Sequence, residues 1–230
     1  MEFTDIAMEL SKEAWQASFQ HPFVLQLQEG TLEPSIFRYY LIQDAYYLKS
    51  FSEAYHLLAD KTSNEEMKRL LKQNAQSLVE GELFIRQQFF KELGISDQEM
   101  EQHPIAPTCY HYISHIYRQF AEPNLGIAFA SLLPCPWLYH DLGKALNRKP
   151  SPNPLYQRWI ETYITDELEQ QIKEEEALVN QLYRESDETD KQKMLEAFHR
   201  SVHMEAKFWE MAYQHQTWTS DLQSLETEKK

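Results

Sequence analysis

Apolar side chains recur every 3.6 residues through nearly the whole chain, and nothing in the sequence gives a strand a way to turn back. Only five glycines occur among 230 residues, with no Asn-Gly, Asp-Gly or Gly-Gly pair to close a tight hairpin. Alternating strand-like runs are absent. The expected fold is therefore all-α, with amphipathic helices burying their apolar stripes against one another. A chain of this length can fill one substantial core, so a single domain over residues 1–230 is expected, with a polar, frayed tail from about residue 220.

Helix boundaries follow from caps and breakers. A first helix is expected from Thr4 to Phe19, ended by His21-Pro22, then a short one to Gly30. Pro34 suits the first turn of a helix reaching about Asp60. Ser63 is read as the cap of a long helix ending near Gly94. A turn of helix follows over Asp97–Gln102, then a helix from Thr108 to Ala121. Arg148–Pro154 is a proline-rich connector. Beyond it come a helix holding Trp159 and Tyr163, one from Thr165 to about Arg184, and a last one from about Asp190 to His215.

Charge and cysteine content narrow the function. The formal net charge of −14 leaves no basic stripe to displace counterions from phosphates, so a nucleic-acid partner is not expected. It suits a protein that attracts small cationic molecules. Two cysteines, Cys109 and Cys135, make no disulfide framework, and the N-terminus shows no basic region followed by an apolar run. No apolar stretch is long enough to span a bilayer. The expectation is a cytoplasmic protein with no membrane partner.

Three features carry chemistry. The stretch Asn124–Lys144 reads as a helix apolar all round, broken by Pro134 and Pro136 with Cys135 between them. A proline removes a backbone N–H and crowds the carbonyl four residues back, so a kink or a restart is expected here. A cysteine beside freed backbone near a new helix N-terminus favours thiolate, although a lone cysteine at a kink is also an ordinary packing residue. Tyr139 lies one turn on and shares its face. The second feature is Asp44, centred in the stripe of Phe37, Tyr40, Leu41, Leu48, Phe51, Tyr55 and Leu58. The third is Glu205, centred in the stripe of Met194, Phe198, Val202, Phe208, Trp209 and Ala212. A carboxylate in an apolar stripe loses hydration and must be paired, hydrogen-bonded or protonated. Two of them on different helices favour a site, with Glu205 the better general acid or base. Tyr47, Tyr112 and Tyr163 fall on inner stripes and with Tyr139 would suit a flat heteroaromatic ligand.

A competing pattern is the pair of Glu-x-x-His motifs, Glu53/His56 and Glu196/His199, at the spacing of di-iron carboxylate bundles. On the helical wheel Glu53 lies about 180° from Asp44, and Glu196 about 180° from Glu205, so the two sets cannot face one centre. The wheel leaves Glu196 and His199 in water.

Gln43-Asp44-x-x-Tyr47-Leu48, Leu132-Leu-Pro-Cys135-x-Trp-x-Tyr139 and Glu205-x-x-Phe-Trp209 together resemble the signature of the TenA, or thiaminase II, family, in its cysteine-bearing bacterial type. The resemblance covers essentially the whole chain. It implies a haem-oxygenase-like helical bundle, commonly a homotetramer. It implies hydrolysis of thiamin or of 4-amino-5-aminomethyl-2-methylpyrimidine to the hydroxymethyl pyrimidine, in thiamin salvage. Cys135 would be the nucleophile and Glu205 the acid/base. Asp44 would hold the aminopyrimidine edge; Tyr112, Tyr139 and Tyr163 would line and polarise the pocket, with Tyr47 and Phe208 as further lining. Neither metal nor organic cofactor is required. Two other readings compete with this one: an iron-dependent oxidase or oxygenase on a similar bundle, and a non-catalytic binder of thiamin-like molecules.

Overall fold

A computed structural model describes residues 1–79, 81 and 84–218. The polar tail expected from residue 220 lies outside these. Among the described residues there are twelve helices and no strand. They are α1 (Phe3–Phe19), α2 (Pro22–Glu29), α3 (Pro34–Lys61), α4 (Glu65–Leu78), α5 (Phe84–Leu93), α6 (Asp97–Gln102), α7 (Pro107–Gln119), α8 (Leu125–Leu132), α9 (Pro134–Leu146), α10 (Pro154–Glu161), α11 (Asp166–Glu185) and α12 (Glu188–Tyr213).

Most boundaries sit where caps place them. The side chains of His21, Asn64, Ser96, Asn124, Asn153, Thr165 and Asp187 each accept a backbone N–H of the first helical turn, satisfying a donor that has no partner within the helix. Two expectations change. Asn64, not Ser63, caps α4, because its carboxamide oxygen reaches the amide of Met67 at 3.0 Å. The long helix expected up to Gly94 is described as α4 and α5, and its junction includes residues 80, 82 and 83, which lie outside the described residues. Tyr163 lies past the end of α10, whose last turn closes at Thr162.

The two longest helices, α3 and α12, form the frame. α3 packs on α4 and α7, while α12 packs on α1, α7 and α8. The stripes predicted on them are buried, and their centres Asp44 and Glu205 are only 3% and 2% exposed. Aromatic rings fill the space between. Trp209 lies 5.1 Å from Phe23, 5.6 Å from Tyr40 and 5.2 Å from Tyr139, centroid to centroid. Nearer the N-terminal end of α12, Phe198 meets Phe3 edge-on at 5.7 Å and stacks on Trp15 at 6.4 Å. Such pairs add specificity of ring orientation to the area they bury.

Phe198 is fully buried and has no polar atom in its side chain, so it isolates the packing contribution. Phe198→Ala should lower unfolding free energy by roughly 3–5 kcal/mol, the usual cost of truncating a core aromatic. Urea denaturation with an unchanged m-value would check it; a loss below about 1 kcal/mol would contradict this packing.

Candidate active site

The proline pair does kink the chain, though not by starting a clean new helix. Leu133 joins α8 to α9 with helical dihedrals of φ −57° and ψ −36°. Pro134 and Pro136 cannot supply the N–H groups that would bond back to the carbonyls of Ala130 and Leu132. Cys135 thus sits at a bend within near-continuous helix, where the end-of-helix dipole is weaker than a true N-terminus would give. The bend points Cys135 at two spaces. One is a cleft of about 750 Å³ whose lining includes Tyr55, Asn74, Ser77, Thr165 and Gln171. The other is a small inner pocket lined by Asp44, Leu48, Cys135, Pro136, Tyr139 and Tyr163. Residues from α3, α9 and the exit of α10 therefore converge on one sulfur.

Asp44 is met by a cation. Arg86 of α5, itself 2% exposed, donates from Nε to Asp44 Oδ2 and from Nη2 to the Tyr163 hydroxyl. Burial pushes the Asp44 carboxyl up from its usual range, and Arg86, then the Tyr40 hydroxyl, pull it back. Tyr163 is held from behind. His140 donates through Nδ1 to its carbonyl at 2.8 Å, and Gly143 of α9 lets it approach, since a Cβ there would lie 3.1 Å from Tyr163 Cβ and 3.0 Å from Ile164 Cγ2. The Tyr139 ring lies 4.8 Å from that of Tyr163.

Glu205 meets burial differently. The Tyr112 hydroxyl donates to Oε1 at 2.6 Å, and no cation stands against it among the described contacts. Burial raises its pKa to about 8, with the Tyr112 bond opposing and the Asp44 charge adding to the rise. Burial thus favours the protonated carboxyl near neutral pH, with Oε1 accepting from Tyr112. Tyr47 and Tyr112 lie ring to ring at 4.8 Å, with Phe208 5.7 Å from Tyr47. Both phenols are raised well above their usual value, chiefly by burial and further by the charges of Cys135 and Glu205. They stay protonated, and the Tyr47 and Tyr112 hydroxyls interact with each other.

All eight residues singled out in the sequence thus fall in one buried region: Asp44, Tyr47, Tyr112, Cys135, Tyr139, Tyr163, Glu205 and Phe208. Cys109 is a core residue, its thiol donating to the Gln43 carbonyl at 3.5 Å and raised by burial. The Glu-x-x-His residues lie elsewhere. Glu53 accepts from the Tyr117 hydroxyl at the surface, and Glu196 pairs with Arg200. His199 is not fully in water as expected; it packs on α1, with Nδ1 3.1 Å from Ser11 Oγ. Two residues escaped the sequence reading. Arg86 shares the stripe of Phe89, Phe90 and Leu93, and Glu175 that of Leu168, Ile172, Val179 and Leu182, so the wheel that found Asp44 carried the signal for both. Glu175 accepts from Tyr55 at 2.7 Å, Asn74 at 2.6 Å and Gln171 at 3.1 Å, and burial raises it to about 7.

Comparisons with known proteins show what the chain is similar to. The sequence model of the TENA/THI-4/PQQC family matches residues 10–215. The aminopyrimidine aminohydrolase of Bacillus subtilis (strain 168) is 35% identical, with 95% of this chain and 93% of that one covered. The aminopyrimidine aminohydrolase of Halalkalibacterium halodurans is 28% identical, with 95% and 98% covered. Among solved structures, the TenA homologue of P. horikoshii OT3 superposes with a TM-score of 0.84 at 24% identity, covering 93% of this chain and 99% of that one. This last similarity speaks to the fold.

A raised carboxyl also fixes a stability trend. The folded state holds the Glu205 proton more tightly than the unfolded chain, so its contribution is fully present below 4.5 and is lost as pH rises through about 8. Glu205→Gln keeps an acceptor for Tyr112 and carries no charge. Its melting temperature at about pH 9 should exceed that of the wild type, with a flatter slope between about pH 5 and 8; Glu175 leaves a residual slope. Parallel melting curves for the two proteins would contradict a neutral Glu205.

Proposed function

Because the chain belongs to the TENA/THI-4/PQQC family, we propose that it is an aminopyrimidine aminohydrolase, a thiaminase II, working by cysteine nucleophilic catalysis. The observation that carries this reading is the convergence of Cys135, Asp44, Tyr139 and Tyr163 on one pocket, in a chain 35% identical to an aminopyrimidine aminohydrolase. The substrate is 4-amino-5-aminomethyl-2-methylpyrimidine, and thiamin, which presents the same ring. The product is the hydroxymethyl pyrimidine, recovered for thiamin salvage.

Each step has a group suited to it. Asp44, an acceptor on the pocket wall, takes an N–H of the exocyclic amine and fixes the ring. Tyr139 and Tyr163 close over it, with Tyr47, Tyr112 and Phe208 behind the sulfur. The Cys135 thiolate adds to the electron-poor ring, forming a C–S bond and sending an electron pair onto ring nitrogen. The Tyr163 hydroxyl supports that developing charge. Electrons return from the ring to open an exocyclic methylene and expel the amine, which takes the Glu205 proton. Glu205, now a carboxylate, removes a proton from water as its oxygen bonds to the methylene. The C–S bond breaks and aromaticity returns. A neutral Glu205 at the start is what the first proton transfer needs, and burial supplies it.

In this reading the protein acts in the cytoplasm, on a small molecule, as a homotetramer. Exposed Leu10, Leu25, Leu57 and Tyr110 are apolar side chains that subunit contacts would cover. Among the described residues no helix is long and apolar enough to cross a membrane.

The test is ammonia release from 4-amino-5-aminomethyl-2-methylpyrimidine after chelator treatment. The wild type should turn over, and Cys135→Ser should lose at least about a thousand-fold in kcat while still binding the pyrimidine. A mutant that keeps its rate, or a wild type that binds without turnover, would overturn the proposal.

A further inference from the structure

Resting on the aminohydrolase reading, we propose that Arg86 is a positioning residue for this reaction: it holds Asp44 as a fixed anionic acceptor and ties that carboxylate to the Tyr163 hydroxyl. The geometry separates the two roles. Asp44 and Tyr163 line the inner pocket and Arg86 does not, yet Arg86 bonds both of them. The guanidinium stands behind two walls that come from different helices, α3 and the exit of α10. Its Nε engages Asp44 through Oδ2, and the Tyr40 hydroxyl bonds the same carboxyl. Its Nη2 donates to the Tyr163 oxygen, and the Tyr163 hydroxyl also shares a hydrogen bond with that of Tyr40. Arg86 also lies over the Tyr163 ring, its Cζ 5.9 Å from the centroid, which fixes the plane as well as the bond.

The surroundings leave this work to Arg86. Facing Asp44 are Tyr40 on its own helix, Cys109 from α7, Cys135 and Tyr139 from α9, Tyr163 after α10 and Glu205 from α12. Among the described residues these are neutral groups or acids, and Arg86 is the positive charge beside Asp44. Without it, a carboxyl so buried takes up a proton. A protonated Asp44 turns from pure acceptor into a group that also donates, and it loses the certainty with which it reads an amine. A two-point guanidinium bond gives direction as well as charge, which an ammonium would not reproduce.

The experiment is the pH profile of kcat/KM on 4-amino-5-aminomethyl-2-methylpyrimidine for the wild type, Arg86→Gln and Arg86→Lys, each checked by thermal melt. Arg86→Gln should shift the acid limb upward by about one to two pH units and raise KM, with the alkaline limb set by Glu205 unmoved. Arg86→Lys should return the acid limb towards that of the wild type while KM stays raised by about threefold or more. Should Arg86→Gln fail to fold, Arg86→Lys carries the test, and an unchanged KM there overturns the proposal. An Arg86→Gln profile lowered uniformly, with neither limb displaced, assigns Arg86 a merely structural role and overturns it too. A wild type that releases no ammonia overturns the underlying reading and this proposal with it; an active wild type with an unmoved limb in Arg86→Gln overturns this proposal alone.

Discussion

A carboxyl group withdrawn from water must be met by a cation, by hydrogen-bond donors or by a proton, and among the described residues this bundle buries three of them. Asp44 takes the cation, through Arg86. Glu205 takes the proton, with one phenol on its other oxygen. Glu175 takes three donors on one oxygen from Tyr55, Asn74 and Gln171. Each solution joins helices that apolar packing alone would leave free to slide. Asp44 ties α3 to α5 and to the exit of α10, Glu205 ties α12 to α7, and Glu175 ties α11 to α3 and α4. Leaving any one unmet would cost more than an ordinary lost hydrogen bond, because the charge or dipole would remain in apolar surroundings. The polar ties therefore set the relative placement of the helices on which Cys135, Asp44 and Glu205 are carried.

The kink at Pro134 and Pro136 supplies what the ties cannot. An unbroken helix from α8 through α9 would run its backbone hydrogen bonds past Cys135 without a bend. Two missing N–H groups let the chain turn while Leu133 stays in helical space, so the bend needs no loop and admits little play. Tyr139, one turn later, stays in register with Cys135, and Gly143, one turn beyond that, lets the Tyr163 segment close against α9. The approach that orients Tyr163 is therefore built from the absence of a side chain.

Much of this was legible in the sequence. The 3.6-residue recurrence and the lack of hairpin turns gave the helical class, and an acid at the centre of an apolar stripe marked Asp44 and Glu205 as out of place. The prolines marked the bend, though they did not tell a kink from a fresh helix start, because both remove the same N–H groups. Arg86 and Glu175 carried the same wheel signal and were passed over for physical reasons. A long basic side chain on a stripe usually reaches out to water along its own methylenes, and an acidic residue in the sequence Glu174-Glu-Glu176 reads as part of a solvated face. Whether such a residue turns inward depends on a partner far along the chain, 42 residues away for Arg86 and Asp44 and 101 for Glu175 and Asn74. Periodicity records only the neighbours on one helix.

What the three burials achieve together is a division of protonation states at one pH. Asp44 and Glu205 are both carboxyl groups, both nearly inaccessible, and each raises the energy of a second negative charge nearby. Environment alone separates them: a guanidinium opposes protonation of the first, and bare burial favours it in the second. The reaction proposed needs this split, one acid to hold the ring as an acceptor and one to give a proton and take it back. Were both ionised, nothing would protonate the departing amine; were both neutral, the acceptor would no longer distinguish an amine from a carbonyl. The Arg86–Asp44 pair is thus not only a way of tolerating a buried charge. In the proposed reaction it would make the second carboxyl's neutrality useful, because negative charge on Asp44 favours the proton on Glu205.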